Sequence, residues 1–171
     1  DRDCIDLLLF HQNQYPIEQA AVVFDAMEHA RQSGKIRAFG WSSDITANAR
    51  AMADRDGFVA VEFAMNVLLD APKLQNTIRQ CGLTGLIRSP LAMGLLTGKY
   101  DHNSTLPAGD IRATDNLTVR YFEDARVNAE FMHSVESVQD LLRSGGRTLA
   151  QGALGWLWAK SGEAIPVPGA R

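Results

Sequence analysis

Leu83-Thr84-Gly85-Leu86-Ile87-Arg88-Ser89-Pro90-Leu91-Ala92-Met93-Gly94-Leu95-Leu96-Thr97-Gly98-Lys99-Tyr100 is the stretch on which the fold class turns. It opens with an apolar run, residues 83–87, that reads as a buried strand, and it breaks at Ser89-Pro90. Proline removes a backbone donor and disfavours helix in the residue before it, so the strand must end there. Gly94 and Gly98 let backbone N–H groups approach a ligand, and Lys99 ahead of free amides suits a phosphate. A strand running into such a loop is where α/β folds keep their ligands. On these residues alone, a structural loop with a surface lysine stands as an equal reading.

Outward from this stretch the chain alternates strand and helix. Residues 5–10 (Ile-Asp-Leu-Leu-Leu-Phe) predict a strand buried on both faces, hence parallel. Residues 17–33 predict a helix behind Pro16, with Ala20, Val23, Phe24, Met27 and Ala30 on one face and Gly34 past its end. Residues 36–41 form a second strand, and Asp44 or Thr46 caps a helix to about residue 54. Gly57 starts a third strand through Phe63. Pro72 opens a helix to about Gln80, closed by Gly82. Residues 100–121 are a long polar loop, of a kind usually functional or mobile. Residues 122–143 read as one long helix broken by Gly145-Gly146. Thr148 caps a further helix through Lys160, and residues 164–167 make the last strand. Strands starting near residues 5, 36, 57, 83 and 164 predict a parallel sheet with crossover helices in a single α/β domain over residues 1–171. A doubly wound sheet and part of a (β/α)8 barrel both fit this order.

The 171 residues are 46% apolar and 22% charged with a net charge of −3, which speaks against nucleic-acid or polyanion partners. No apolar run approaches the about 18 residues of a membrane span, and no leader is visible. Cys4 and Cys81 fit neither a disulfide framework nor a metal spacing, and read as reduced, buried thiols of a cytoplasmic protein. His29, His102 and His133 are scattered without ligand spacing, so no metal is expected. Trp41, Trp156 and Trp158 read as packing residues. Asp1 and Arg171 lie at the margins of core elements, the pattern of a chain cut from something longer.

Five motifs in order resemble the aldo-keto reductases. Asp3 to His11 is similar to their fourth barrel strand, Gly34 to Ser43 to the fifth, and Glu62 through Asn66-Val67-Leu68 to the sixth. Arg88 to Tyr100 resembles the seventh strand and its cofactor loop. Arg147 to Gln151 with Trp156-Leu157, then Ile165 to Arg171, resemble the last crossover helix and eighth strand. The resemblance implies a partial (β/α)8 TIM barrel, with the first three strands missing, of an enzyme that uses NADP(H) to reduce aldehydes or ketones. The family's catalytic Asp, Tyr and Lys lie on earlier strands, and neither Tyr15 nor Lys35 sits in a matching motif.

The resemblance gives His11 the role of orienting the substrate carbonyl. It places the nicotinamide contacts on Ser42, Ser43 (where the family has Asn), Glu62 (often Gln) and Arg88 (often an aromatic). Ser89, Pro90, Leu91, Gly94, Leu95, Lys99 and Gly169 would line the pyrophosphate and ribose region, and Arg171 would meet the adenosine 2′-phosphate. An Arg88–Glu62 ion pair across adjacent strand ends would account for both departures. The alternative is a catalytically inactive truncated barrel that binds cofactor weakly or acts as a folding or interaction fragment, with exposed barrel edges inviting self-association. The doubly wound nucleotide-binding module lacks Gly-x-Gly-x-x-Gly after its first strand.

Overall fold

A computed structural model describes residues 3–113 and 121–169. In chain order its elements are β1 (Ile5–Phe10), α1 (Ile17–Gln32), β2 (Ile36–Ser42), α2 (Thr46–Met52), β3 (Phe58–Ala64), α3 (Pro72–Cys81) and β4 (Thr84–Arg88). There follow β5 (Phe122–Glu123), β6 (Arg126–Val127), α4 (Ala129–Leu142), α5 (Leu149–Lys160) and β7 (Ala164–Pro166). They divide into two compact units, one holding Asp1–Ala64, Ala71–Arg88 and Ser161–Ile165, the other Met65–Asp70, Ser89–Lys160 and Pro166–Arg171.

The first unit is built on a sheet of order β1-β2-β3-β4-β7, with β1 to β4 paired in parallel. Neighbours in the sheet follow one another in the chain. A doubly wound sheet reverses its order at a switch point, and none occurs among the described strands. The register sets Phe10 beside Trp41, Ser42 beside Glu62 and Ala64 beside Arg88, so the carboxyl ends of these strands lie at one end of the sheet. Phe10 packs edge-on against Phe24 of α1, with centroids 5.9 Å apart, and at a tilt against Trp41, with centroids 5.6 Å apart. Its side chain therefore faces the helix layer, and residues of opposite parity face the other side of the pleat. β1 departs from the expected double burial. Among the described residues it pairs with β2 alone, Ile5 is 51% exposed, and Leu7 to Phe10 are half-buried.

Gly82 ends α3 in the left-handed conformation (φ 65°), as a helix-closing glycine should. The α2 entry differs from the sequence reading. Its N-cap is Ile45 with no side-chain cap, because Ser43 Oγ accepts the Ile45 N–H while Asp44 turns its carboxylate to Ala64 N and Arg88. Cys4 and Cys81 are half-buried rather than buried.

The second unit gathers Leu95, Leu96, Tyr121, Phe122, Met132, Val135, Leu149 and Ala153 into its core. Residues 122–143 are not one helix. Asp124 and Ala125, with φ of 48° and 58°, turn β5 back onto β6 as an antiparallel hairpin. Two successive left-handed residues make the turn type that matches strand twist. Asn128 then caps α4, its side chain accepting from Glu130 N and Phe131 N. Thr148 and Gln151 form a reciprocal capping box at α5, with Thr148 N to Gln151 Oε1 at 2.9 Å and Gln151 N to Thr148 Oγ1 at 3.2 Å. Gly152 of α5 touches the end of α4, where a Cβ would lie 2.1 Å from the Leu142 carbonyl oxygen. Trp41 is fully buried, but Trp158 is 59% exposed and packs little. Among the described residues no helix is long and apolar enough to cross a membrane.

Candidate functional site

In the first unit, His11 follows the last residue of β1. Trp41 Nε1 donates to Gln12 O at 2.8 Å, which ties down the turn that carries it. His11 is 78% exposed, and its Nε2 lies 3.5 Å from Oε2 of Glu62, a side chain only 17% exposed. That Glu62 oxygen is buried and receives no hydrogen bond among the described residues. An unmet buried acceptor costs about 1–3 kcal/mol, more when charged, so it is where a donor from outside would be favoured.

The expected Arg88–Glu62 pair does not form. Arg88 Nη2 donates instead to Asp44 Oδ2. The register explains the choice: Arg88 stands beside Ala64, and Glu62 lies one pleat repeat back beside Leu86. Asp44 reaches over from the end of β2. Its Oδ1 accepts the Ala64 N–H at 2.8 Å, its Oδ2 also accepts from Asn13 Nδ2 at 3.2 Å, and its own N–H donates to Asn13 Oδ1 at 2.7 Å.

Ser42 and Ser43 are both buried. The Ser43 hydroxyl donates to Asn13 O at 3.0 Å and accepts from Ile45 N and Asn48 Nδ2. Its donor and both lone pairs are thereby engaged, so Ser43 shapes the turn with its side chain.

In the second unit, a cavity of about 470 Å³ is lined by Ser89, Pro90, Leu91, Met93, Gly94, Thr97, Lys99, Asp110, Ile111, Arg112, Pro168 and Gly169. The loop makes it by folding back on itself. Ser89, Ala92 and Met93 have φ near +50° and Gly94 has φ 101°, a geometry that glycine adopts without strain. This reversal turns Leu95 and Leu96 inward, so Leu95 is a core residue, 1% exposed, and not a lining one. The Gly94 amide is not open to a phosphate either, since it donates to Leu91 O at 2.9 Å. Lys99 is exposed, with Nζ 5.0 Å from the Tyr100 ring centroid.

Two residues that the sequence reading did not single out hold this loop. Asn66 is fully buried; its Nδ2 donates to Ser89 O at 3.0 Å and Tyr121 Oη at 2.8 Å, and its Oδ1 accepts from Leu68 N at 2.9 Å. Arg112 binds Asp110 in bidentate fashion (Nε to Oδ1 2.8 Å, Nη2 to Oδ2 2.5 Å), and donates to Tyr100 Oη at 2.6 Å and Met93 O at 3.1 Å. The Asp110 carboxylate is the first cause holding this guanidinium charged well above its ordinary range. Asn66 belongs to the motif that resembles the sixth barrel strand, which attaches no role to it, and Arg112 to a loop whose sequence signals only polarity. Arg171 lies outside the described residues.

The sequence profile of the Aldo/keto reductase family matches residues 1–171. The chain belongs to the aldo/keto reductase family. Among curated relatives, this family member is 29% identical over 177 residues to an aldo-keto reductase of Schizosaccharomyces pombe whose name specifies NADP(+), with 99% of the chain and 49% of the relative covered. It is 31% identical over 180 residues to an aldo-keto reductase of Strobilurus tenacellus, covering 99% and 50%. The chain thus spans about half the length of the curated relatives it matches. Its fold is similar to the glycerol dehydrogenase of Gluconobacter oxydans, with a TM-score of 0.76 at 21% identity, covering 98% of this chain and 50% of that one.

Two of the histidines that are scattered along the sequence come together in the fold. Among the described residues, His102, His133 and Glu136 offer ligand atoms that all lie within 4.8 Å of one another. Spacing along the chain does not reveal this group, because a loop brings His102 to a helix face.

Proposed function

We propose that this chain is the cofactor-binding portion, corresponding to barrel strands four to eight, of an NADP(H)-dependent reductase of aldehydes or ketones. The carrying observation is Glu62 Oε2, a buried carboxylate oxygen that accepts no hydrogen bond among the described residues and lies 3.5 Å from the exposed His11 imidazole. A carboxamide N–H is the kind of donor it lacks, which fits a nicotinamide. Lys99 and the cavity walled by Ser89, Leu91, Gly94 and Gly169 fit the phosphate and ribose portion, as a cation beside a polar loop. Arg171 retains by resemblance the 2′-phosphate role.

NADPH, when bound, supplies the hydride for the carbonyl carbon. The chain's residues do the rest of the work assigned here. His11 donates a hydrogen bond to the carbonyl oxygen, which gains charge as it is reduced. Glu62 and Ser42 hold the amide end. Arg88 keeps its guanidinium fixed through Asp44 rather than through Glu62. Asn66 and Arg112 keep the Ser89–Met93 backbone in its left-handed turns. The Asp, Tyr and Lys that complete the family's catalytic set have no matching motif here, so carbonyl turnover by the 171 residues alone is expected to be absent.

Titration of NADPH fluorescence with the 171-residue chain tests this reading. Saturable enhancement is expected, weakened by Glu62→Leu and by Lys99→Ala but retained in Glu62→Gln, which keeps an acceptor oxygen. No change up to about 1 mM cofactor, where binding would be worth less than about 4 kcal/mol, would overturn the cofactor reading. Aldehyde-dependent NADPH oxidation by the chain alone would overturn the incomplete-enzyme reading and leave the cofactor site standing.

A further inference from the structure

We propose that His102, His133 and Glu136 form a binding site for a divalent transition-metal ion, Zn2+ by ligand type, on the second unit. His133 and Glu136 stand at i and i+3 on α4, hence on one face. His102 approaches that face from the loop after Tyr100. Its Nε2 lies 2.9 Å from Glu136 Oε1, and His133 Nδ1 lies 3.3 Å from Glu136 Oε2. The two imidazole rings are 4.9 Å apart between centroids. One carboxylate therefore stands between two imidazoles and faces both with different oxygens.

Both sides of the group are anchored independently of it. Beneath His102, Asp101 Oδ1 accepts from Asn103 N at 3.0 Å and Ser104 Oγ at 2.7 Å, and Asp101 N donates to Ser104 Oγ at 2.9 Å. The loop continues into a bridge between Thr105 and Arg126, and Leu106 N donates to Ala125 O at 2.7 Å. The β5–β6 hairpin so engaged runs straight into Asn128, the cap of α4. The backbones carrying His102 and His133 are thus joined through hydrogen-bonded structure and do not depend on the cluster itself.

The donor set fits the ion. Two imidazole nitrogens and one carboxylate are a known zinc combination when a fourth position is open, and imidazole also suits Cu2+ and Ni2+. Bonds of about 2.0–2.1 Å in a tetrahedron put ligand atoms about 3.4 Å apart, so the widest separation here, within 4.8 Å, must close by about 1.4 Å. The side chains are 41%, 71% and 39% exposed, which leaves them free to rotate inward and leaves the fourth position to water. Binding would clamp the 101–104 turn to α4.

Calorimetric titration of the untagged, chelator-treated 171-residue chain with ZnCl2 tests the site. One ion per chain is expected, with a rise in thermal midpoint on saturation. His102→Ala, His133→Ala and Glu136→Gln should each weaken binding by at least about tenfold, the loss seen when even an outer ligand partner is removed. His29→Ala, at an exposed histidine whose Nδ1 meets Asp25 O, should change nothing. Co2+ in place of Zn2+ should give the intense visible absorption of a four-coordinate ion, absent in His133→Ala. Binding no tighter than about 100 µM, or binding indifferent to either His102→Ala or His133→Ala, would overturn the proposal.

Discussion

The strand ends of the first unit and the loop of the second unit are both rich in polar side chains, but they use them differently. In the loop, the polar groups described above answer one another: Asn66 engages Ser89, Tyr121 and Leu68, and Arg112 engages Asp110, Tyr100 and Met93. At the strand ends, Asp44 is equally saturated, yet His11 stands exposed and Glu62 Oε2, 3.5 Å from it, is buried and accepts no hydrogen bond among the described residues. The loop has its interactions directed inward, to hold left-handed backbone in place. The strand ends keep one strong acceptor unmet. A braced loop offers shape, and an unmet acceptor offers chemistry.

The largest effect expected from this contrast is in the loop. Asn66→Ala removes the hydrogen bonds that Asn66 makes with the Ser89 carbonyl, the Tyr121 hydroxyl and the Leu68 amide, and should cost about 3 kcal/mol in urea denaturation. A loss below about 1 kcal/mol would mean that the loop is not braced as described. Glu62→Gln should move stability the other way. Replacing an unmet buried carboxylate with a neutral amide is expected to stabilise the chain by about 1 kcal/mol. A loss would show that the carboxylate has a partner after all and that the two regions do not differ.

A smaller effect sharpens the account of Arg88. A double-mutant cycle with Asp44→Ala and Arg88→Ala should give a coupling of about 0.5 kcal/mol, modest because both side chains are about a third exposed. The cycle of Glu62→Gln with Arg88→Ala should be additive within about 0.3 kcal/mol. Coupling in the second cycle and none in the first would reverse the assignment.

The smallest effect is on acid stability and falls on one carboxylate in each unit. The Ser104 hydroxyl, first, and the Asn103 amide hold the Asp101 carboxyl below its ordinary value; its own backbone amide, first, and the Ser161 hydroxyl do so for Glu163. A carboxyl depressed in the folded state contributes its stability above the unfolded pKa, and that contribution is lost as pH falls through the folded value. Asp101→Asn and Glu163→Gln should each flatten the stability profile below about pH 4.5 and leave its slope at neutral pH unchanged. Steepening of the acid limb in either variant would contradict this.

Much of the fold was legible because its signals are local. Apolar runs, the prolines before Ile17 and at the start of α3, and the glycines after α1 and α3 each act within a few residues. The hairpin of Phe122 to Val127 was not legible, because Asp124 and Ala125 take positive φ without the glycine or asparagine that usually announces such a turn. The exposure of β1 was also hidden, since an apolar run does not say how many neighbours a strand has. Leu95 was misplaced because a chain reversal at Met93 and Gly94 decides which side of the loop faces the core.

The sequence by itself determined the class: alternating strands and helices, the loop after β4, the family, and the list of polar residues from which a site could be made. Tertiary structure decided which of them meet. Arg88 took Asp44, 44 residues away, over Glu62, because register places it one pleat repeat beyond the nearer acid in sequence. His102 met Glu136, 34 residues on, because a hairpin returns the loop to α4. Secondary structure follows from backbone preferences that each residue carries with it, whereas a charge has no preferred partner until the fold sets the distances.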